Sequence, residues 1–401
     1  MPLYIFDVSI FFIPLSIISS NRKNSKLIYM MKTFTKFVCL AVALFSFSTL
    51  QAQDGAVEDN EIFKLGIEAR FDYLNQAVDG NHDIAGSGFK VRYFNLRMDG
   101  QITSKFSYSW RQRFNRANSL SEFAQNTDWL TLTYKPIQNL SISAGKQVLM
   151  IGGWEYDRAP MDLYFCSEFW NNVNCYQIGA SVAFTTTDGN DTILFQACQS
   201  PYDTASTSVD YYAYNLYWSG SHGCFTALYS INFMQYAPGK YDKYIALGNQ
   251  FKFGDATIQL DYMSRGPKAL GVYIENKQVF LTPEDLLFDN YSIMGEFSYL
   301  IADRVNVFGK VTYDKIGESS IAASGLIGGT EIVRLGTGVE YYPLGGQGNR
   351  DVRLHAAYAY NIGTNSNPVG TALGNGSYFT AGLTWRIDIM SAAKKFINKV
   401  K

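Results

Sequence analysis

Four arginines fall close together in the chain: Arg92, Arg97, Arg111 and Arg113, within GFKVRYFNLRMDGQITSKFSYSWRQRFNR, residues 88 to 116. A guanidinium offers a planar fork of donors that can grip carboxylate or phosphate through two hydrogen bonds, and it stays charged at neutral pH. Gathered on one wall, these four would attract anions. Matched one by one with Asp and Glu, they would instead form a network that only makes an interior soluble. The segment reads as two antiparallel strands joined at Thr103-Ser104-Lys105. In the second, Phe106, Tyr108 and Trp110 share one parity, while Ser107, Ser109, Arg111 and Arg113 share the other. Successive strand side chains point to opposite faces, so one face is aromatic and the other carries arginine. In a soluble sheet the aromatics would meet a core; in an outer-membrane barrel they meet lipid and the polar face lines a lumen.

Other chemistry is sparse. Cys166, Cys175, Cys198 and Cys224 follow the export signal described below. An even count in an exported chain suggests disulfides, with three connectivities open to four cysteines. Cys166 and Cys175 flank the tip and exit of one long connection, so the expected bridge is Cys166–Cys175; four free thiols acting as small apolar residues are the alternative. The only histidines, His82, His222 and His355, fall in a loop, a turn and a strand. No His-Glu, Cys-x-x-Cys or Gly-x-Ser-x-Gly motif is present. Hence no catalytic residue, metal or cofactor is expected, and His355 reads as polar lining.

These side chains need elements to hold them. Met31-Lys32 and Lys36 precede the apolar run Phe37 to Leu50 and then Leu50-Gln51-Ala52, the pattern of a secretory signal peptide (31–52) cleaved after Ala52. Residues 1–30 are expected to be an upstream extension from start assignment. In the remainder, 34 basic residues less five and 35 acidic less one leave 29 against 34, a net charge of −5. That is no nucleic-acid-binding balance. The remainder holds no long apolar run, so no transmembrane helix is expected. Tyr and Phe number 28 each, against 10 Pro.

The segments after residue 60 alternate. In Glu61 to Tyr73, Phe63, Leu65, Ile67, Ala69, Phe71 and Tyr73 oppose Lys64, Glu68, Arg70 and Asp72. Sixteen such strands can be marked up to Gly376–Asp388, giving an all-β antiparallel transmembrane barrel over residues 53–388. Connections after even strands are short and those after odd strands mostly long, as in bacterial barrels with short periplasmic turns and long external loops. Two departures stand out. The parity shifts near Tyr93-Phe94, which a β-bulge would explain, and the connection at Ala237 to Gly239 is short for an external loop. The last strand, TAGLTWRI (380–387), has the polar and apolar pattern of an assembly signal, and residues 389–401 are expected to form a basic periplasmic tail.

The run from Gly88 to Phe114 resembles the early hairpin of the phosphate-selective porin O and P family, with Gly-Phe before Arg-rich positions, a Gly, a turn and an alternating aromatic strand. Leu140 to Gly153, with Gly145-Lys146, is similar to that family's segment before an inward-folded loop. Here Arg92-Tyr93 replaces the usual double arginine, and Met150-Ile151-Gly152-Gly153 replaces Pro-Phe-Gly. The resemblance implies a sixteen-stranded porin of a Gram-negative outer membrane, a homotrimer in contact with lipid and passing small anionic or polar solutes.

A sixteen-stranded barrel is wide enough for water, so the function expected is passive diffusion through a lumen whose charges set selectivity. The anion path is expected along Arg92, Arg97, Arg111, Arg113, Lys135 and Lys146, with Arg158 on the connection 148–173, where a pore-narrowing loop would lie. An ordinary external loop is the alternative for that connection. A plugged structural or adhesive barrel without conductance, or a barrel enzyme, is the alternative for the whole.

Overall fold

Period-two alternation between large apolar and polar residues folds into a closed barrel. The computed structural model describes residues 63–115, 123, 125–171, 175–202, 210–265, 290–316, 329–345, 351–365 and 375–390. The signal peptide, the upstream extension and all of the tail beyond Met390 lie outside the described residues.

Sixteen strands run antiparallel in chain order: β1 (Phe63–Val78), β2 (Gly88–Gln101), β3 (Phe106–Arg113), β4 (Thr127–Ile137), β5 (Leu140–Val148), β6 (Tyr176–Thr185), β7 (Asp191–Gln199) and β8 (Tyr212–His222) form the first half. The second half is β9 (Phe225–Ala237), β10 (Lys240–Phe253), β11 (Ala256–Arg265), β12 (Asn290–Ile301), β13 (Val305–Lys315), β14 (Thr330–Tyr341), β15 (Val352–Asn365) and β16 (Gly376–Asp388). Each pairs with its chain neighbours, and β1 closes the ring on β16, with Gly66 opposite Asp388 and Val78 opposite Gly376. A two-residue bridge at Asn81–His82 folds back onto the end of β1. No described helix is long and apolar enough to cross a membrane.

The outer surface is apolar. Phe71, Leu130, Leu132, Ile178, Leu216, Leu260 and Leu335 are all exposed there. Aromatic rings gather at its two rims. Tyr262, Tyr291 and Tyr313 form a ladder beside the long loops, with ring centres 6.0 and 5.9 Å apart. Phe106 stacks on Tyr134 at 4.6 Å and Phe225 meets Phe251 at 5.2 Å beside the short turns. An apolar band between aromatic girdles is what a bilayer selects on the outside of a barrel.

The parity shift in β2 is a bulge. Arg70 opposes Tyr93 while Phe71 opposes Val91, so Arg92 is the extra residue and the polar positions on either side stay inward. The connection at 238–239 is short as read, a tight turn between β9 and β10 on the long-loop rim, with Gly239 at φ 70°. The connection after β14, at 342–351, is the longer exception on the short-turn rim.

Candidate functional site

The connection between β5 and β6 turns inward rather than out. It carries two short helices, α1 (Trp154–Asp157) and α2 (Glu168–Asn171), with a 3-10 turn at Pro160–Asp162 between them. Its first residues are guided by a ladder of side-chain amides on the inner wall. Gln196 accepts from the Met150 amide at 2.9 Å and donates to the Val148 carbonyl at 2.9 Å. Asn215 donates to Gln196, and Asn232 donates to both Asn215 and the Met150 carbonyl. Gly152 and Gly153 then pass against the wall, where the Gly153 amide donates to the Leu228 carbonyl at 3.0 Å. A Cβ on Gly248 would lie 2.6 Å from the Gly153 Cα, so the loop and β10 approach this closely only because both residues are glycine. Leu149, Ile151, Tyr156 and Phe169 of the loop pack with Met234, Tyr244 and Met263 into an apolar core inside the barrel.

Charges fasten the rest of the loop to β11–β16 and β1. Asp261 accepts from the Trp154 and Glu155 amides at 3.0 and 2.8 Å. Arg158 forks onto Glu296 at 3.0 and 2.8 Å and reaches Gln259 at 2.6 Å. Glu155 meets Lys310 at 2.6 Å with both side chains almost wholly buried. Burial alone would raise the Glu155 carboxyl, but Lys310 and hydrogen bonds from Ser167 outweigh it and hold it below the ordinary range. Asp162 takes Arg353 at 2.8 Å and Arg386 at 2.7 Å, and these two likewise overcome burial and depress its pKa. Glu168 pairs with Arg334, which also holds Asp314 at 2.9 Å. Arg70, paired with Asp72, donates to the Met161 and Leu163 carbonyls at 3.1 and 2.6 Å. Tyr164 donates to Glu340 at 2.7 Å. On this covered wall six cations (Arg70, Arg158, Lys310, Arg334, Arg353, Arg386) meet seven carboxylates (Asp72, Glu155, Asp162, Glu168, Glu296, Asp314, Glu340). The external-loop alternative for 148–173 is thereby set aside, for its described residues.

The wall made by β2, β3 and β4 differs. Arg97 and Arg111 face each other across β2 and β3, and Arg113 opposes Asn95. Arg111 and Arg113 share one carboxylate, Asp128, at 2.8 and 2.7 Å. Asp128 reaches them because it is bulged out of the β4 register, which passes from Trp129 to Thr127. Arg97 pairs with Asp99 at 2.6 Å yet keeps 46% of its side chain exposed. Arg92 is exposed at the bulge, with no carboxylate partner among the described residues. Glu68 is hydrogen-bonded only weakly, to Asn95 at 3.4 Å. Counting Glu68, Asp99 and Asp128 against the four arginines, this wall holds an excess of positive charge. Arg111 also lies 4.0 Å over the Trp129 ring and donates to the Tyr176 hydroxyl.

The structure thus brings Arg92, Arg97, Arg111 and Arg113 together and separates the other expected members of the path. Lys135 is exposed on the inward register of β4, beside the short-turn rim. Arg158 is committed to Glu296 and Gln259 on the opposite wall. Lys146 is a correction: it opposes Leu130 and Ile178, both outward and exposed, so it lies on the lipid-facing register and reaches the Gln125 carbonyl at 3.3 Å. Gly145, at φ 122°, bends the strand just before it. The cysteine bridge is a second correction, for all four cysteines are free. Cys166 sits by Glu155 and Lys310, where burial and the Glu155 carboxylate push its thiol up to about 12. Cys175 sits instead by Tyr156, Arg113 and Asp128, its thiol raised by burial. The loop carries the two to different walls. The sequence reading also missed Asp128, Trp129 and Tyr176, whose roles arise from a bulge and from cross-strand placement rather than any local motif.

With this geometry in hand, the comparisons with known proteins agree. Residues 63–253 match the family model described as phosphate-selective porin O and P. Comparison with curated proteins finds no match. Among solved structures, the outer-membrane channel DcaP of Acinetobacter baumannii is similar with a TM-score of 0.56 at 11% identity, over 80% of this chain and 96% of that one. OmpT of Vibrio cholerae, outer-membrane expressed, gives 0.53 at 13%, over 83% and 100%. A trimer form of in-vitro folded OmpT from the same organism gives 0.52 at 12%, over 82% and 100%. The chain is therefore an outer-membrane β-barrel of porin type, and β1 to β10 carry the sequence pattern of the porin O and P family.

Proposed function

We propose that this barrel is a water-filled channel for passive diffusion of small solutes across the outer membrane, and that it favours anions through Arg92 and Arg97, the exposed arginines of the β2–β4 wall. One observation carries the reading: that wall holds four arginines against three carboxylates, with Arg97 about half exposed and Arg92 without a carboxylate partner among the described residues, while the six cations of the loop-covered wall are all taken up by carboxylates. A mobile anion passing this wall finds guanidinium donors left over after the local pairs have formed. The net charge of −5 over the exported part does not oppose this, because selectivity follows the lumen rather than the total. The short-turn rim faces the periplasm, as in bacterial barrels, and residues 31–52 direct export. The chain works as a homotrimer, a reading supported by the trimer form of the similar OmpT structure. Family pattern and fold favour a channel over an enzyme.

The test is single-channel current of the refolded protein in a planar bilayer under a salt gradient. Discrete steps with a reversal potential on the anion side, and currents reduced by phosphate, are expected. No steps at all would mean that the inward loop closes the lumen and the barrel is structural.

A further inference from the structure

The β2–β4 wall changes character toward the short-turn rim. Four residues along β3 from Arg111, about 13 Å at strand spacing, lies Ser107. Ser107 opposes Thr133, Thr133 opposes Ser143, and Ser143 opposes Ser181, so a row of hydroxyls crosses β3 to β6 on the inner face. One step nearer the arginines, Ser109 opposes Thr131 but is already engaged, donating to Asp99 at 2.6 Å and accepting from the Trp129 indole at 2.8 Å. These positions carry no charge and no bulk. Thr133 and Ser143 bond each other at 2.8 Å, which leaves each hydroxyl further capacity, and Ser107 has no side-chain partner among the described residues. On β12 to β15, by contrast, the inward positions are the charged groups sealed under the loop.

From this we infer that the wall takes a sugar bearing one anionic group, a carboxylate or a phosphate ester, its anion held by the exposed Arg97 and its hydroxyls meeting the Ser107–Thr133–Ser143 row. The inference rests on the anion path proposed above. Inorganic phosphate is too short to reach both parts, and a neutral sugar has nothing for the arginines. The Arg97 guanidinium leans to Asp99, level with Ser109 and about 7 Å from the Ser107 row, so only a solute with both features engages the two at once, with each hydroxyl trading water for protein partners at small net gain.

The experiment titrates the single-channel current of the refolded chain with inorganic phosphate, glucose, glucuronate and glucose 6-phosphate. Half-block by one or both sugar acids is expected at a concentration about tenfold below that for phosphate or glucose, the scale of one or two net hydrogen bonds. Whichever acid blocks at the lower concentration tells carboxylate from phosphate ester. Ser107→Ala with Thr133→Val should bring the acids to the phosphate level and leave the reversal potential unchanged. Ser107→Ala alone, at a hydroxyl without a side-chain partner among the described residues, should lose part of that gain if the double variant fails to assemble. Acids that block no better than phosphate in an anion-preferring channel overturn the inference and leave the anion path standing. A channel with no anion preference overturns both.

Discussion

Two walls of one lumen use the same residue type for opposite ends. On β12 to β16 and β1 each arginine meets a carboxylate and several also reach loop carbonyls, as Arg70 does at Met161 and Leu163, so its donors are consumed and it acts as a fastener. On β2 and β3 Arg111 and Arg113 are also largely buried and share Asp128, but Arg97 keeps nearly half its side chain in the open and Arg92 is exposed with no carboxylate partner among the described residues. A buried ion pair adds little net stability over an apolar pair, but a buried charge that loses its partner is very costly. A guanidinium beside water keeps most of its hydration and stays available. An arginine in a barrel therefore cannot be assigned a role by counting; what decides is which carboxylates and carbonyls the fold brings to it.

Breaking the covered wall should give the largest effect. Glu155→Gln leaves Lys310 buried without its carboxylate, and a loss of about 3–5 kcal/mol is expected from such a change. Urea or thermal unfolding of the refolded barrel would report it, and the freed loop should raise both the conductance and its noise. Equal charge removal on the two walls sharpens the contrast. A unit charge ~7 Å from a passing ion in water-like dielectric is worth about 0.6 kcal/mol, of opposite sign for anion and cation, so Arg97→Gln should lower the anion-to-cation permeability ratio by up to roughly sevenfold. Arg334→Gln, under the loop, should change that ratio far less while costing more stability.

Acid tests the fasteners in another way. The Glu155 and Asp162 carboxyls are held below their ordinary values of 4.5 and 3.8. Groups depressed in the folded state contribute stability that is present above the unfolded value and is lost as pH falls through the folded one. The conductance pattern should therefore be steady from neutral pH down to about 4.5 and become noisy only below 3.8. Loosening already near pH 6 would show that these pairs are not what holds the loop. The smallest effect belongs to Lys146→Gln: facing lipid, it should leave the reversal potential where it was.

Much of this was legible in the sequence, because a barrel strand states its two faces residue by residue. The parity of Phe106 to Arg113 put Arg111 and Arg113 inward, and the slip beside Tyr93 announced the bulge at Arg92. Lys146 escaped because Gly145, at positive φ, comes just before it, and a charged residue in a strand otherwise reads as inward. The partners escaped for a different reason. Arg158 and Glu296 are 138 residues apart, and Lys310 and Glu155 are 155 apart. No local pattern joins them until the ring closes and the loop turns in. The Cys166–Cys175 bridge failed on the same ground, since nearness along the chain said nothing about the walls to which the loop would carry each thiol.

The most direct measurement is the reversal potential of the Arg97→Gln channel beside that of Arg334→Gln and of the unaltered protein, in one salt gradient. The account predicts an anion-side potential for the unaltered channel, a clear move toward cations for Arg97→Gln, whose side chain is 46% exposed, and little movement for Arg334→Gln, whose side chain is 13% exposed. Equal movement in both variants, or none in either, would contradict the distinction between an open arginine wall and a fastened one.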